Sequence, residues 1–369
     1  MLPKLMLLLS VFAAVSFFIG SWNLSLRTLP DTTSLSVPPP RTKCTTVPYV
    51  FNASLVCNDP AVSFLKIAPP MTQDRPKILC LVLTQPKSHA TRMQAVVDTW
   101  GRKCDVLVGS SSEADPSLHT YRIDSEPGYW GIFDKLLHSL KFILTEHNHN
   151  QTTTSEGPRW DFDWILKADD DTYVIMENLH AFLSRVVNPY AQPRVYGRVM
   201  AWPRLQRFQK TWFADDGNHT SNVPFGRRFY AKLDKLETLR YAHGGPGYMM
   251  NRRYAQLLVD AYFDEESGNA LKGKIAEDMG GAAMMLYQGV KPNGTTDRST
   301  GRERMHPETP QTMFANPAWL EKSHRGIKHQ LKGPGELCCS PTSISYHYVS
   351  DYQMRLLDYQ LYHCPRSTA

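Results

Sequence analysis

Apolar positions follow three regimes along this chain. From Leu5 to Ile19 they run together, interrupted only by Ser10 and Ser16. Over residues 23–76 they thin out among serines, threonines and prolines, including Pro38-Pro39-Pro40 and Pro69-Pro70, with no period, as in an extended stem. From Lys77 the pattern is that of a packed domain. Ile78-Leu79-Cys80-Leu81-Val82-Leu83 is a continuous apolar run, which predicts a strand buried on both faces, and Thr84-Gln85-Pro86 breaks it. His89 to Trp100 reads as a helix and Asp105 to Val108 as a second short strand. Between Gly131 and Glu146, Ile132, Phe133, Leu136, Leu137, Leu140, Ile143 and Leu144 recur at helical spacing. Trp164-Ile165-Leu166 is a third strand that ends directly in acids. Strands alternating with helices predict an α/β domain with a mostly parallel sheet, and such sheets bind ligands at the carboxyl ends of their strands. Asn148 to Pro158 and Leu205 to Leu239 are polar and read as loops or insertions.

The first apolar run sets the expected compartment. One early cation, Lys4, precedes it, and Phe17, Phe18, Ile19 and Trp22 close it where a cleavage site would need small residues. This predicts an uncleaved signal anchor, short enough for a thin bilayer, with a cleaved signal peptide as the alternative. The expected organisation is a cytoplasmic tail over 1–4, an anchor over 5–22, a stem over 23–76 and a catalytic domain over 77–369. Sequons at Asn52, Asn150, Asn218 and Asn293 agree with exposure to the secretory lumen. So do seven cysteines, none in a zinc-type Cys-x-x-Cys pair. The odd number permits a covalent homodimer. A net charge of +6, spread without a run of like charges, gives no support to nucleic-acid binding.

The most informative segment is Asp163-Trp164-Ile165-Leu166-Lys167-Ala168-Asp169-Asp170-Asp171-Thr172-Tyr173-Val174. Three adjacent carboxylates repel one another unless a cation sits among them, and hard divalent ions take oxygen ligands that bridge to a diphosphate. Acids at the start of a helix are the alternative reading. The buried strand before the acids favours the cation.

This block resembles the aspartate motif of the core 1 β1,3-galactosyltransferases, a branch of the fringe-like β1,3-glycosyltransferases. Further matches follow in order: Val195-Tyr196-Gly197-Arg198, Gly244-Gly245-Pro246-Gly247-Tyr248, Glu277-Asp278, then Asp297-Arg298, Gly301 and His306-Pro307. Gly333-Pro334-Gly335 with Cys338-Cys339-Ser340, and Ser345-Tyr346-His347-Tyr348-Val349, complete the resemblance.

The resemblance implies a GT-A fold, a single-pass type II Golgi membrane protein with its catalytic domain in the lumen, UDP-galactose as donor and Mn²⁺ as cofactor. It implies an acceptor glycoprotein carrying O-linked GalNAc, inversion at the transferred carbon, and a tendency to dimerise. Asp169, Asp171 and His306 fall on its metal positions, with His347 the second choice for the imidazole. Asp278 falls on the general base. Thr84, Arg102, Glu126 and Asp170 fall on the nucleotide side; the Gly245 backbone would line the sugar site. Tyr248, like Trp202 and Trp212, is a candidate stacking surface or a core residue. Cys80 and Cys104 fall on a disulfide pair.

The chain also departs from the family. Where the family carries an Arg and a Lys for the donor phosphates, this chain has Glu126-Pro127-Gly128-Tyr129-Trp130-Gly131-Ile132, with Lys135 one helical turn on. Ala282 and Met284 replace a glycine and a cysteine. An insertion of roughly 30 residues separates Arg198 from Gly244. Two alternatives therefore stand beside core 1 galactosyl transfer: a fringe-like enzyme with another donor or acceptor, and a non-catalytic paralogue that binds glycoprotein or an active enzyme.

Overall fold

The computed structural model describes residues 51–71, 74–125, 128, 131–149, 160–186, 190–203, 238–264, 276–315 and 333–365. The expected anchor over 5–22 lies outside them. No helix among the described residues is long and apolar enough to cross a membrane.

The described part is a mixed α/β unit around a seven-stranded, mostly parallel sheet. Its strands are β1 (Ile78–Leu83), β2 (Val106–Ser111), β3 (Thr120–Arg122), β4 (Trp164–Asp169), β6 (Val195–Gly197), β9 (Tyr248–Asn251) and β10 (Asn293–Gly294), in the order β10-β6-β9-β4-β1-β2-β3. β1 sits between β4 and β2, parallel to both, and β9 alone runs antiparallel to its neighbours. The apolar run of β1 explains its central place, because its alternating side chains feed two separate cores. Leu79, Leu81 and Leu83 pack on one face, under the helices Ile132–His149, Arg252–Phe263 and Glu277–Tyr287. Ile78, Cys80 and Val82 pack on the other, with Gln94–Asp98, Met176–Leu183 and Asp351–Tyr362. In chain order the helices are α1 (Ala53–Val56), α2 (Pro60–Ser63), α3 (Gln94–Asp98), α4 (Ile132–His149), α5 (Met176–Leu183), α6 (Arg252–Phe263), α7 (Glu277–Tyr287), α8 (Pro310–Ala315) and α9 (Asp351–Tyr362). Asn251 caps α6 by accepting from the Tyr254 N–H at 2.9 Å, and Ser350 with Gln353 forms a capping box on α9.

Several boundaries differ from the sequence expectation. After a 3₁₀ turn (Pro86–Ser88), the predicted helix from His89 to Trp100 is split into a π turn (His89–Met93), α3 and the start of another 3₁₀ turn (Trp100–Lys103). Residues that composition assigns to the stem also pack on the domain. Val62 and Leu65 are buried in the second core, and the Lys66 N–H donates to the Pro341 carbonyl at 2.7 Å. Disulfides join Cys80 to Cys104, Cys57 to Cys364 and the neighbours Cys338 and Cys339. The insertion departs from β7 (Val199–Pro203) and returns through β8 (Thr238–Ala242), an antiparallel pair; residues 204–237 are outside the described part, Trp212 among them.

A second, small sheet places the C-terminal segment. Its order is β11 (Met305–His306), β12 (Ser345–Tyr346), β5 (Tyr173–Val174). β12 pairs antiparallel with β5, Tyr346 facing Tyr173, immediately after the acidic run. The Val349 N–H then donates to the Asp171 carbonyl at 2.9 Å.

Candidate active site

The acids stand at the carboxyl end of β4, in the middle of the large sheet, and open into a cleft of about 780 Å³. Asp169, Asp170, Asp171, His347, Tyr348, Arg92, Lys135, Thr84, Gly244, Gly245, Glu277 and Asp278 all line it. Three residue classes meet there, and each is held by a different element.

Asp169, Asp171 and His347 form the one cluster among the described residues with the spacing of a metal site, their ligand atoms lying within 4.8 Å of one another. His347 Nε2 is 3.1 Å from Asp171 Oδ1 and 3.9 Å from Asp169 Oδ2. Its other nitrogen, Nδ1, is buried without a partner. Two carboxylates and an imidazole converging on one point suit a divalent cation. Burial pushes the Asp169 carboxyl up to about 6, Lys167 opposing and Glu277 adding to the rise. Burial also acts upward on Asp171, but its hydrogen bond to His347 and the charges of His347 and Arg92 outweigh it, and the net shift is downward.

His306 is not in this cluster. It is fully buried, its Nε2 lies 2.9 Å from Ser343 Oγ, and its ring stacks on Tyr346 at 4.6 Å. Burial and the nearby Arg198 drive its pKa far down. The ladder explains the exchange: β12 lies between β11 and β5, so His306 is one strand away from the acids while His347 follows the strand that touches them. His347, the second choice from sequence, is the imidazole at the site.

Asp278 occupies the N-terminal turn of α7. Its Oδ2 accepts from the Gly244 N–H at 2.8 Å and its Oδ1 from the Met279 N–H at 2.7 Å. Burial pushes this carboxyl up to about 7, with the neighbouring Glu277 charge adding to the rise and Lys167 opposing it. A carboxyl poised there suits a general base at neutral pH.

The nucleotide-side expectations divide. Thr84 reaches the cleft and its hydroxyl donates to Asp170 Oδ2 at 2.8 Å. Burial raises Asp170, against that hydrogen bond and Arg92. Arg102 does not reach the cleft; its guanidinium pairs with Asp358 at 3.0 Å on the face covered by α9. Arg92 is the arginine that does, 3.4 Å from Asp170 and 3.5 Å from Asp171. It was missed because a regular helix from His89 gives no reason to prefer it, whereas the π turn presents it to the acids. Lys135 also lines the cleft and donates to the Thr84 carbonyl, burial lowering its pKa against the pull of Asp170 and Asp169. Glu126 lies outside the described residues. Tyr248 is buried in the first core with its ring 5.7 Å from Lys167 Nζ, so it is a core residue and not a stacking surface in the cleft. The exposed aromatic is Tyr348, 60% accessible and held at a φ of 56° next to His347.

Gly244 to Gly247 fit this site by their lack of side chains. A Cβ on Gly245 would lie 2.4 Å from His347 Nδ1, and one on Gly244 would lie 2.2 Å from Glu277 Oε1. Gly247 has a φ of +81° and a Cβ there would meet the Lys167 carbonyl at 2.7 Å. Gly245 thus presses directly on the imidazole and leaves Nε2 facing the carboxylates. Gly245→Ala is expected to keep the fold, because its backbone is not left-handed, and, if the cluster takes a divalent cation, to weaken that binding about tenfold, the loss typical of disturbing a ligand's support. Titration of free Mn²⁺ by electron paramagnetic resonance checks this; unchanged affinity would show that the ring has room to move.

The acids at the strand end and the buried carboxyl of Asp278 on α7 line one cleft, and the sequence comparison identifies the family. The family described as Fringe-like matches residues 73–279. That is more than half of the chain, and the protein belongs to this glycosyltransferase family. Among named relatives, it is similar to glycoprotein-N-acetylgalactosamine 3-beta-galactosyltransferase 1 of Xenopus laevis, with 26% identity over 297 residues. The match spans 78% of this chain and 66% of that protein's length. Two solved structures overlay loosely: core-mannan synthase A of Aspergillus fumigatus in its Mn/GDP form, and mouse xyloside xylosyltransferase 1 in its apo form. Each gives a TM-score of 0.30 at 10% identity. The first covers 62% of this chain and 73% of its own, the second 73% and 97%. Overlays this loose add nothing to the strand order.

Proposed function

We propose that the protein is a GT-A, metal-dependent, inverting β1,3-galactosyltransferase. In this reading it moves galactose from UDP-galactose to the 3-hydroxyl of O-linked GalNAc on glycoproteins, in the Golgi membrane. The observation that carries this reading is that one cleft holds both a metal-type cluster (Asp169, Asp171, His347) and a buried carboxyl poised near neutrality (Asp278). The similarity to the Xenopus laevis galactosyltransferase supports the choice of donor and acceptor.

Asp169, Asp171 and His347 would hold the cation, Mn²⁺ in this reading, whose contribution when bound is to neutralise charge growing on the departing diphosphate. Arg92 and Lys135 flank the same acids and supply fixed positive charge to the donor side. They answer the departure seen at Glu126 to Ile132, because the cleft keeps two cations by another route. Asp278 takes the proton of the attacking 3-hydroxyl as the new O–C1 bond forms and the bond from C1 to UDP breaks. The Gly244 and Met279 N–H groups fix its two oxygens while it does so. Tyr348, exposed at the mouth of the cleft, offers a ring face to the acceptor sugar.

The test is transfer from UDP-galactose to a GalNAc-α-Thr peptide, with and without Mn²⁺, beside a panel of other UDP-sugars. Transfer from UDP-galactose alone supports the proposal. Transfer only from another sugar makes this a fringe-like enzyme of different specificity, and UDP binding with no transfer makes it a non-catalytic relative. The pH profile gives a second check. Asp278 works as a base only when deprotonated, so kcat/KM should rise as the pH rises through about 7. A profile flat from pH 5 to 8 would remove Asp278 from this role. For stability the sign is opposite: the folded carboxyl holds its proton more readily than the unfolded one, with its value of 3.8, so its burial cost is relieved as the pH falls from about 7 towards that value.

A further inference from the structure

Lys167 is a lysine with no exposed surface, in the middle strand of a catalytic domain, two residues before the first aspartate of the metal cluster. Strand alternation puts Lys167 and Asp169 on the same face of β4, the face that looks towards α7. The lysine Nζ lies 2.9 Å from Asp169 Oδ1, forming an ion pair. It lies 2.5 Å from Glu277 Oε1, to which it donates, and 3.3 Å from the Gly244 carbonyl. Glu277 is the neighbour of Asp278, and Gly244 is the residue whose N–H holds Asp278 Oδ2. Lys167 therefore touches the metal half of the site on one side, and Gly244 and Glu277 beside the base on the other.

We propose that Lys167 is a positioning residue that fixes Asp169 for metal binding and, through Glu277 and Gly244, holds the metal seat in register with Asp278. The proposal rests on the reading of Asp169, Asp171 and His347 as a metal site. Each contact has a geometric consequence. Asp169 Oδ1 is buried and paired with the ammonium, and the pairing leaves Oδ2 on the side of His347, 3.9 Å from its Nε2. Glu277 is held so close to Gly244 that a Cβ there would collide with it, which ties the start of α7 to the turn after β8. Without the ammonium, the half-buried Asp169 and the buried Glu277 would be two carboxylates with no cation between them, an arrangement relieved by swinging one outward.

The sign of the effect separates positioning from simple charge. A lysine near a metal ligand repels a bound cation, so by Coulomb's law alone its removal should tighten Mn²⁺ binding. Positioning predicts the reverse. In the full-length protein, Lys167→Met is expected to weaken Mn²⁺ binding by about tenfold or more, read from the free-ion paramagnetic resonance signal. The double variant Lys167→Met/Glu277→Met removes both buried charges and covers the case in which the single variant does not fold. It is expected to remain as weak, because Asp169 still lacks its tie. Tighter or unchanged binding in the single variant, or parental affinity in the double variant, would overturn the proposal and reduce Lys167 to a counter-charge for Glu277. If the parent protein itself binds no Mn²⁺, the reading of the site falls together with the proposal.

Discussion

Asp278→Asn is expected to cut sugar transfer by about 10²–10⁴-fold, the range typical of losing a general base, while Mn²⁺-promoted UDP binding stays at the parental level. The two halves of this expectation follow from different parts of the structure. The side chain of Asp278 accepts hydrogen bonds from Gly244 and Met279, so an amide of the same shape keeps the space filled but cannot take a proton. The cation cluster is built from β4 and the segment after β12, neither of which depends on the charge at position 278. Steady-state kinetics on the GalNAc peptide, with UDP binding measured calorimetrically, checks both. A kcat within a few-fold of the parent would place the base elsewhere in the cleft.

The second large effect separates the two histidines. His347→Ala and Asp171→Asn are each expected to weaken Mn²⁺-promoted UDP binding by about 10²-fold or more, since even disturbing the support of a ligand costs 10–100-fold. His306→Ala should leave that affinity alone and lower stability by about 1–3 kcal/mol, the cost of a lost buried hydrogen bond and its stacking contact. UDP titrations with and without Mn²⁺, beside thermal melts, decide between them. Loss of metal-dependent binding in His306→Ala with His347→Ala unaffected would reverse the assignment.

How far the sequence revealed this arrangement depended on whether the deciding physics was local. β1 was legible because six consecutive apolar residues can be buried only between two layers. The acids at the end of β4 were legible because like charges at a strand end need an explanation, whereas Asp278 was singled out only by the family resemblance. β3 was not legible, being three residues long. β9 was not legible either: only Tyr248, at the end of the glycine motif, was singled out, because Tyr248–Asn251 carries no alternation that marks a central antiparallel strand. The choice between His306 and His347 turned on which strand of a three-stranded ladder lies beside β5, a long-range pairing that spacing does not encode. The alternation in Ser345-Tyr346-His347-Tyr348-Val349 was a signal for a strand ending at the site. Arg92 against Arg102 turned on a π turn that shifts the register of one helical segment, again invisible to a 3.6-residue period.

The small sheet has a consequence for the life history of the molecule. Two ligands of the cation cluster come from the middle of the chain and the third arrives only with the strand Ser345–Tyr346. A ribosome that has made everything up to α8 has made the base, both aspartates and the whole large sheet, yet no complete metal seat. In the proposed reading, the cation cluster is therefore completed only when the final segment has been made and has paired with β5. A chain truncated between β10 and β12 would carry the sequence of every strand of the large sheet and both aspartates but lack His347.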